Sequence, residues 1–226
     1  MSPSVIFGNA KKQGLDIVAI TDHNSMKNSG VYEKVAQNYG LTYFYGVEIQ
    51  TAEEIHLIAI FNNKNNALAF DKKLYSSLLP IKNNPDFFGD QVIIDENENI
   101  LGFEEIALIN SSMWSFDEAI DEVKNSGGFS FPAHVDATSF SVIAQLGFVP
   151  ENPNIFALGV TKKCKIDEFL QKYPSLKSYS FIKNSDAHYP NEVGTGYTEF
   201  YIKNPCFDEI MYALQKKDGR KTRIVS

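Results

Sequence analysis

The sequence is poor in cysteine, in arginine and in long apolar runs, and each shortage removes a class of protein. Two cysteines, Cys164 and Cys206, stand far apart in 226 residues, neither with a second thiol nearby. That spacing excludes a zinc ribbon, a thioredoxin-type motif and a disulfide-stapled scaffold, and points to reduced thiols. Only Arg220 and Arg223 among the 21 basic residues are arginines, and 28 acids leave a net charge of −7. Such a chain lacks the basic footprint of non-specific nucleic-acid binding, which disfavours a long nucleic acid as partner. No stretch approaches the ~18 apolar residues of a membrane span, and no charged n-region precedes an apolar run at the N-terminus. A cytoplasmic protein with no membrane partner is the expectation.

What is present is ordinary globular material: 43% apolar and 13% aromatic residues, enough for a sizeable core in one domain over residues 1–226. Ser2-Pro3 opens a helix that stops at Gly14, and Leu15 to Ile20 follows as a buried strand. Val31, Val35, Ala36 and Tyr39 recur at helical spacing, and Leu41 to Tyr45 is β-forming. Further strands are expected at 55–61, 129–131, 155–160, 178–183 and 198–202, with helices at 67–79, 116–124, 138–146, 166–172 and 207–217. Strands separated by helices predict βα units and a mostly parallel sheet or barrel.

Pro80 to Glu105 breaks this rhythm and reads as an inserted β-hairpin: Val92-Ile93-Ile94, an acidic turn over 95–99, then Ile100-Leu101. Asp95, Asn97 and Asn99 alternate as in a calcium loop, but Ile100 stands where that loop needs glycine and Ile106 where it needs an acid. The turn is a solvated one.

All four histidines lie inside or just beyond an expected strand. His23 follows the first, His134 follows 129–131, His188 follows 178–183, and His56 falls within 55–61. Glu48 follows Leu41 to Tyr45, and Asp186 precedes His188 by two, which in an extended segment turns both side chains one way. In a βα barrel the C-terminal strand ends converge on one face, so these groups can meet. Imidazole with carboxylate suits zinc, manganese or iron in a hydrolytic site. The alternative is a set of polar loops at one barrel end. A serine nucleophile is weakly supported, because no Gly-x-Ser-x-Gly elbow exists.

Thr21-Asp22-His23-Asn24, Gly46-Val47-Glu48-Ile49, Glu54-Ile55-His56-Leu57, Pro132-Ala133-His134-Val135-Asp136 and Ser185-Asp186-Ala187-His188 together resemble the ordered motifs of the PHP (polymerase and histidinol phosphatase) superfamily. The likeness is nearest to stand-alone bacterial members of its phosphoesterase branch. It implies an α/β fold, a distorted (β/α)7, TIM-like barrel, with up to three divalent metals (Mn²⁺, Zn²⁺ or Fe²⁺) at the C-terminal face. Carried over by motif, Glu48, His56 and His134 would hold one metal, with Glu48 bridging to a second that Asp186 also binds. His23 and His188 would belong to a third. Glu48, Asp186 and His188 are the candidate catalytic groups.

The family's opening His-x-His strand has no counterpart here, so the expectation is an N-terminally truncated copy with one complete ligand set, unstable or prone to associate through its exposed strand edges. Gly159 stands where many relatives carry an acid. The resemblance implies hydrolysis of a phosphoric monoester on a small phosphorylated metabolite or nucleotide by a metal-activated water. A catalytically inactive scaffold module is the alternative, and an amidohydrolase fits less well because no carboxylated-lysine candidate stands out. Lys162, Lys163 and Lys183 flank strand ends and either meet phosphate or are solvated.

Overall fold

The computed structural model describes residues 1–225. Helix α1 (Pro3–Lys12) starts with proline in its first turn and leads into β1 (Ile17–Ile20). After α2 (Ser29–Asn38) come β2 (Thr42–Gln50) and β3 (His56–Phe61), then α3 (Lys64–Ser76). The insert contributes a short helix, α4 (Pro85–Phe88), and the expected hairpin, β4 (Val92–Ile94) and β5 (Ile100–Phe103). Helix α5 (Phe116–Asn125), capped reciprocally by Ser115 and Glu118, precedes β6 (Phe129–Pro132). The chain ends through α6 (Val142–Leu146), β7 (Ala157–Val160), α7 (Ile166–Lys172), β8 (Ser180–Lys183), β9 (Thr198–Tyr201), α8 (Phe207–Leu214) and β10 (Lys221–Ile224).

The fold is mixed α/β, but its sheets are small and do not close into the expected (β/α)7 barrel among the described residues. The largest has strand order β1-β2-β3-β6; β4-β5, β7-β8 and β9-β10 are two-stranded. Nor is the sheet mostly parallel: β1 runs parallel to β2, whereas β2–β3 and β3–β6 are antiparallel. The reason is the link between β2 and β3, residues 51–55, far shorter than the dozen or more that a parallel crossover needs. β1 is hydrogen-bonded on one side only, to β2.

Strand alternation sorts the core into two faces. Val47, Ile49, Leu57, Ala59 and Phe61 pack with Phe70 and Leu74 of α3 and Ile120 and Val123 of α5. Each such large side chain stabilises the fold by about 1.5–3 kcal/mol. The opposite face carries Phe44, Ile58, Ile60, Phe129 and Phe131. It lines a cavity of about 1410 Å³ bounded also by β1, β9 and the segment after β8. Gly46 lets the chain after β1 come close: a Cβ there would stand 2.6 Å from Thr21 Cγ2. No described helix is long and apolar enough to cross a membrane.

Candidate metal centre

Glu48 lies inside β2, not beyond it, because the strand continues five residues past the expected end. Its side chain falls on the same face as Phe44, in the cavity lining. β3 runs back along β2, so its first residue, His56, sits opposite Gln50 at the C-terminal end of β2. Reversal of the strand brings this histidine to the site. His23 reaches the same place because the chain after β1 keeps parallel register as far as a bridge between His23 and Glu48. His134 follows β6, where the Ala133 N–H donates to the His56 carbonyl at 2.9 Å.

The three imidazoles converge on the Glu48 carboxylate, which is buried. Its Oε1 lies 3.2 Å from His56 Nδ1 and 3.7 Å from His134 Nε2, and its Oε2 lies 3.6 Å from His23 Nδ1. His134 Nε2 and His56 Nδ1 are themselves 3.3 Å apart. Donor atoms of His23, Glu48 and His56 all fall within 4.8 Å of one another. The set suits a divalent cation on a specific ground: His23 Nδ1 is buried with no hydrogen-bond partner among the described residues. A buried polar atom left unpaired costs free energy that a cation between it and the carboxylate would recover.

The electrostatics agree. Burial pushes the Glu48 carboxyl up, but the contacts with His134 and His56 and the electrostatic pull of the neighbouring imidazoles outweigh it and hold the group well below the usual carboxylate range. Burial lowers the His23 pKa more than the neighbouring Glu48 carboxylate raises it. At His134 burial is outweighed by Glu48, with help from Asp186, and the pKa rises.

Asp186 and His188 line the same cavity but do not join the cluster. They are exposed, with Asp186 Oδ1 3.7 Å from His188 Nε2. The lysines divide. Lys183 is buried, not solvated, and its Nζ donates to the Val225 carbonyl at 2.9 Å. Lys162 pairs with Glu192 at 3.0 Å, and Lys163 is exposed. Both arginines are engaged in pairs, Arg220 with Glu209 and Arg223 with Glu199. Gly159 abuts the histidine strand: a Cβ there would lie 3.0 Å from the Pro132 carbonyl and 3.3 Å from His134 N. A larger residue at that position would crowd His134.

Three supporting residues escape sequence reasoning. Asn24, fully buried, donates from Nδ2 to the Leu108 and Asn110 carbonyls and accepts from Gln50 N at 3.0 Å. Gln50 Oε1 lies 3.2 Å from His56 Nε2. Phe140 stacks on the His56 ring, centroids 4.8 Å apart and planes 17° from parallel. Backbone conformation was the available signal, and only the fold reveals it. Of eight non-glycine residues with positive φ among the described residues, four are Asn24, His134, Phe140 and Asp186, the clustering expected where a site holds its backbone under constraint.

Comparison with known proteins follows the same lines. A family model described as PHP domain matches residues 1–127, and one described as PHP-associated matches 171–218. The uncharacterized protein YqxK of Bacillus subtilis is 31% identical over 105 residues, 44% of this chain and 27% of that protein. The uncharacterized protein MJ1587 of Methanocaldococcus jannaschii is 36% identical over 63 residues, 28% of this chain and 36% of that protein. The chain thus spans about a quarter to a third of the length of the curated relatives it matches.

Among solved structures, the lesion-specific endonuclease PfuEndoQ of Pyrococcus furiosus superposes with a TM-score of 0.65 at 19% identity, over 97% of this chain and 52% of its own. A candidate metal-dependent phosphoesterase of Bifidobacterium adolescentis gives 0.51 at 16% identity, over 84% and 83%. These likenesses are of fold. One of them still corrects the reading of net charge. An endonuclease Q complex, TM-score 0.64 at 19% identity over 96% of this chain and 52% of its own, holds a 27-mer duplex with an abasic lesion at its active site. A duplex is thus accommodated by a protein of this fold, and the net charge of this chain does not by itself exclude long nucleic acid.

Proposed function

The chain belongs to the PHP domain family, whose members are metal-dependent hydrolases, and from that premise we propose that it hydrolyses phosphate esters at the cluster around Glu48. The supporting observation is the convergence of three imidazoles, His23, His56 and His134, on the buried Glu48 carboxylate beside a large cavity. Glu48, His56 and His134 would hold one divalent cation, Mn²⁺, Zn²⁺ or Fe²⁺, and His23 Nδ1 would meet it from the side of the second Glu48 oxygen. When bound, such a cation supplies positive charge to a phosphoryl oxygen and a hydroxide at neutral pH.

The chain's own groups then bind, orient and move protons. Glu48 stays ionised and anchors three imidazoles. Phe44, Ile60 and Phe131 give the cavity an apolar wall. Asp186 and His188, exposed at its margin, are the proposed proton-handling pair: the carboxylate steers the imidazole, which delivers a proton to the departing alkoxide. The substrate class is a phosphate ester of a nucleotide, free or within a DNA strand.

The test is hydrolysis with added Mn²⁺ of nucleoside monophosphates and of an abasic duplex, beside an amide substrate. Phosphoester hydrolysis is expected, falling at least about 100-fold in E48Q and H134A. Equal rates in both variants, or preference for the amide, would overturn the assignment. A metal-loaded protein that cleaves none of these substrates would leave a binding module in its place.

A further inference from the structure

We propose that Gln50 and Phe140 are positioning residues that lock the His56 imidazole as an Nδ1 donor, Gln50 by fixing its tautomer and Phe140 by fixing its plane. The inference rests on the metal-centre reading above and concerns residues outside the ligand set.

Gln50 and His56 face each other directly across β2 and β3. The Gln50 side chain is buried, and its amide is already oriented: Nε2 donates to Ser111 Oγ at 3.0 Å. With the nitrogen committed, Oε1 is the atom turned to His56 Nε2, 3.2 Å away. A carbonyl oxygen only accepts, so His56 Nε2 carries a proton, and Nδ1 is the nitrogen left to give a lone pair to a cation. That nitrogen faces Glu48 Oε1 at 3.2 Å and His134 Nε2 at 3.3 Å, the place a cation would take. Asn24 completes the support, accepting from the Gln50 backbone N–H at 3.0 Å.

Phe140 holds the other degree of freedom. Its ring lies 4.8 Å from the His56 ring at 17°, and its carbonyl accepts the His56 backbone N–H at 2.9 Å. Packing alone is a poor account of this residue. The side chain is 39% exposed, and its φ is +53°, a conformation glycine adopts freely and phenylalanine does not. Ser141 pins the turn, donating from Oγ to the Ala137 carbonyl at 2.8 Å while capping α6. A strained, half-exposed aromatic persists where its surroundings dictate it, and here they set its face against one imidazole. Partners of this kind fix ring orientation and raise ligand basicity in metal sites.

The experiment uses the full chain and reads Co²⁺ binding through its visible absorption and Mn²⁺ binding by calorimetry, with far-UV circular dichroism on every variant. Q50L removes the acceptor and Q50E retains it; F140G removes the ring while relaxing the backbone, and F140Y retains the ring. Q50L and F140G are expected to weaken binding about 10- to 100-fold and to alter the Co²⁺ band. Q50E and F140Y should stay close to wild type. If Q50L does not fold, Q50M poses the same question. Wild-type affinity and an unchanged band in Q50L and F140G would overturn the proposal, as would a loss in Q50E equal to that in Q50L, since bulk and not the acceptor would then be what matters. A wild-type chain that takes up neither cation would overturn the metal-centre reading itself, before any variant is compared.

Discussion

Replacing Asn24 with alanine tests how the site is braced. Asn24 is fully buried between the chain after β1 and the end of β2, with Nδ2 2.9 Å from the Leu108 carbonyl, 2.8 Å from the Asn110 carbonyl, and Oδ1 3.0 Å from Gln50 N. The losses are unequal. Gln50 is buried, so its orphaned N–H bears a desolvation penalty of about 1–3 kcal/mol. Leu108 and Asn110 are half-exposed, so water replaces part of what their carbonyls lose. Asn24 also sits at φ +49°, where alanine lacks the tolerance of asparagine, a further cost of about 1 kcal/mol. N24A should therefore be destabilised by about 4 kcal/mol, and N24G, free of the backbone term, by about 1 kcal/mol less. Urea denaturation of the metal-free protein measures both through the shift in midpoint at constant slope. A loss under about 1 kcal/mol in N24A, or N24G no better than N24A, would refute the reasoning.

The metal-free protein should carry two opposed pH dependences. The depressed Glu48 pKa contributes stability that is complete above the ordinary value of about 4.3 and is lost as pH falls through the folded value. The raised His134 pKa contributes stability that is complete below about 6.5 and is lost as pH rises through its folded value. Urea midpoints across that range should show a flatter acid limb in E48Q and a flatter alkaline limb in H134A; unchanged limbs would break the assignment. Gly159→Ala should cost about 1–3 kcal/mol and weaken metal binding, because the new Cβ meets backbone at Pro132 and His134 that cannot swing aside. A thermal melt and a metal titration check it, and a neutral result would mean that the β6–β7 seam yields.

Local sequence carried the candidate ligands but not their supports. Histidines and Glu48 were legible because charged and imidazole groups at strand ends break an apolar pattern. The extent of β2 was not, since Gly46 and Glu48 interrupt the apolar run that marks its first half. Yet Val47 and Ile49 continue the alternation on the helix-facing side. The reversal of β3 was written in the short 51–55 connection, a length no helix could cross. β10 had no local signal: Lys221, Thr222 and Arg223 are polar, and the strand exists because it pairs with β9. Asp186 and His188 do lie near each other, though φ of +47° at Asp186 departs from the extended geometry that predicted it. Gln50 and Phe140 act through partners chosen by the fold, which no periodicity in the chain records.

The antiparallel pairing of β2 with β3 also orders the assembly of the site in time. Glu48 and His56 belong to one hairpin with a short link, and closing so small a loop is fast and costs little entropy. His23 must be brought in by β1, and His134 by a contact across 78 residues, each a slower, non-local event. Half of the donor set therefore exists as soon as the hairpin does, and a cation captured there would act as a template on which the remaining histidines close, drawing metal uptake and folding into one process.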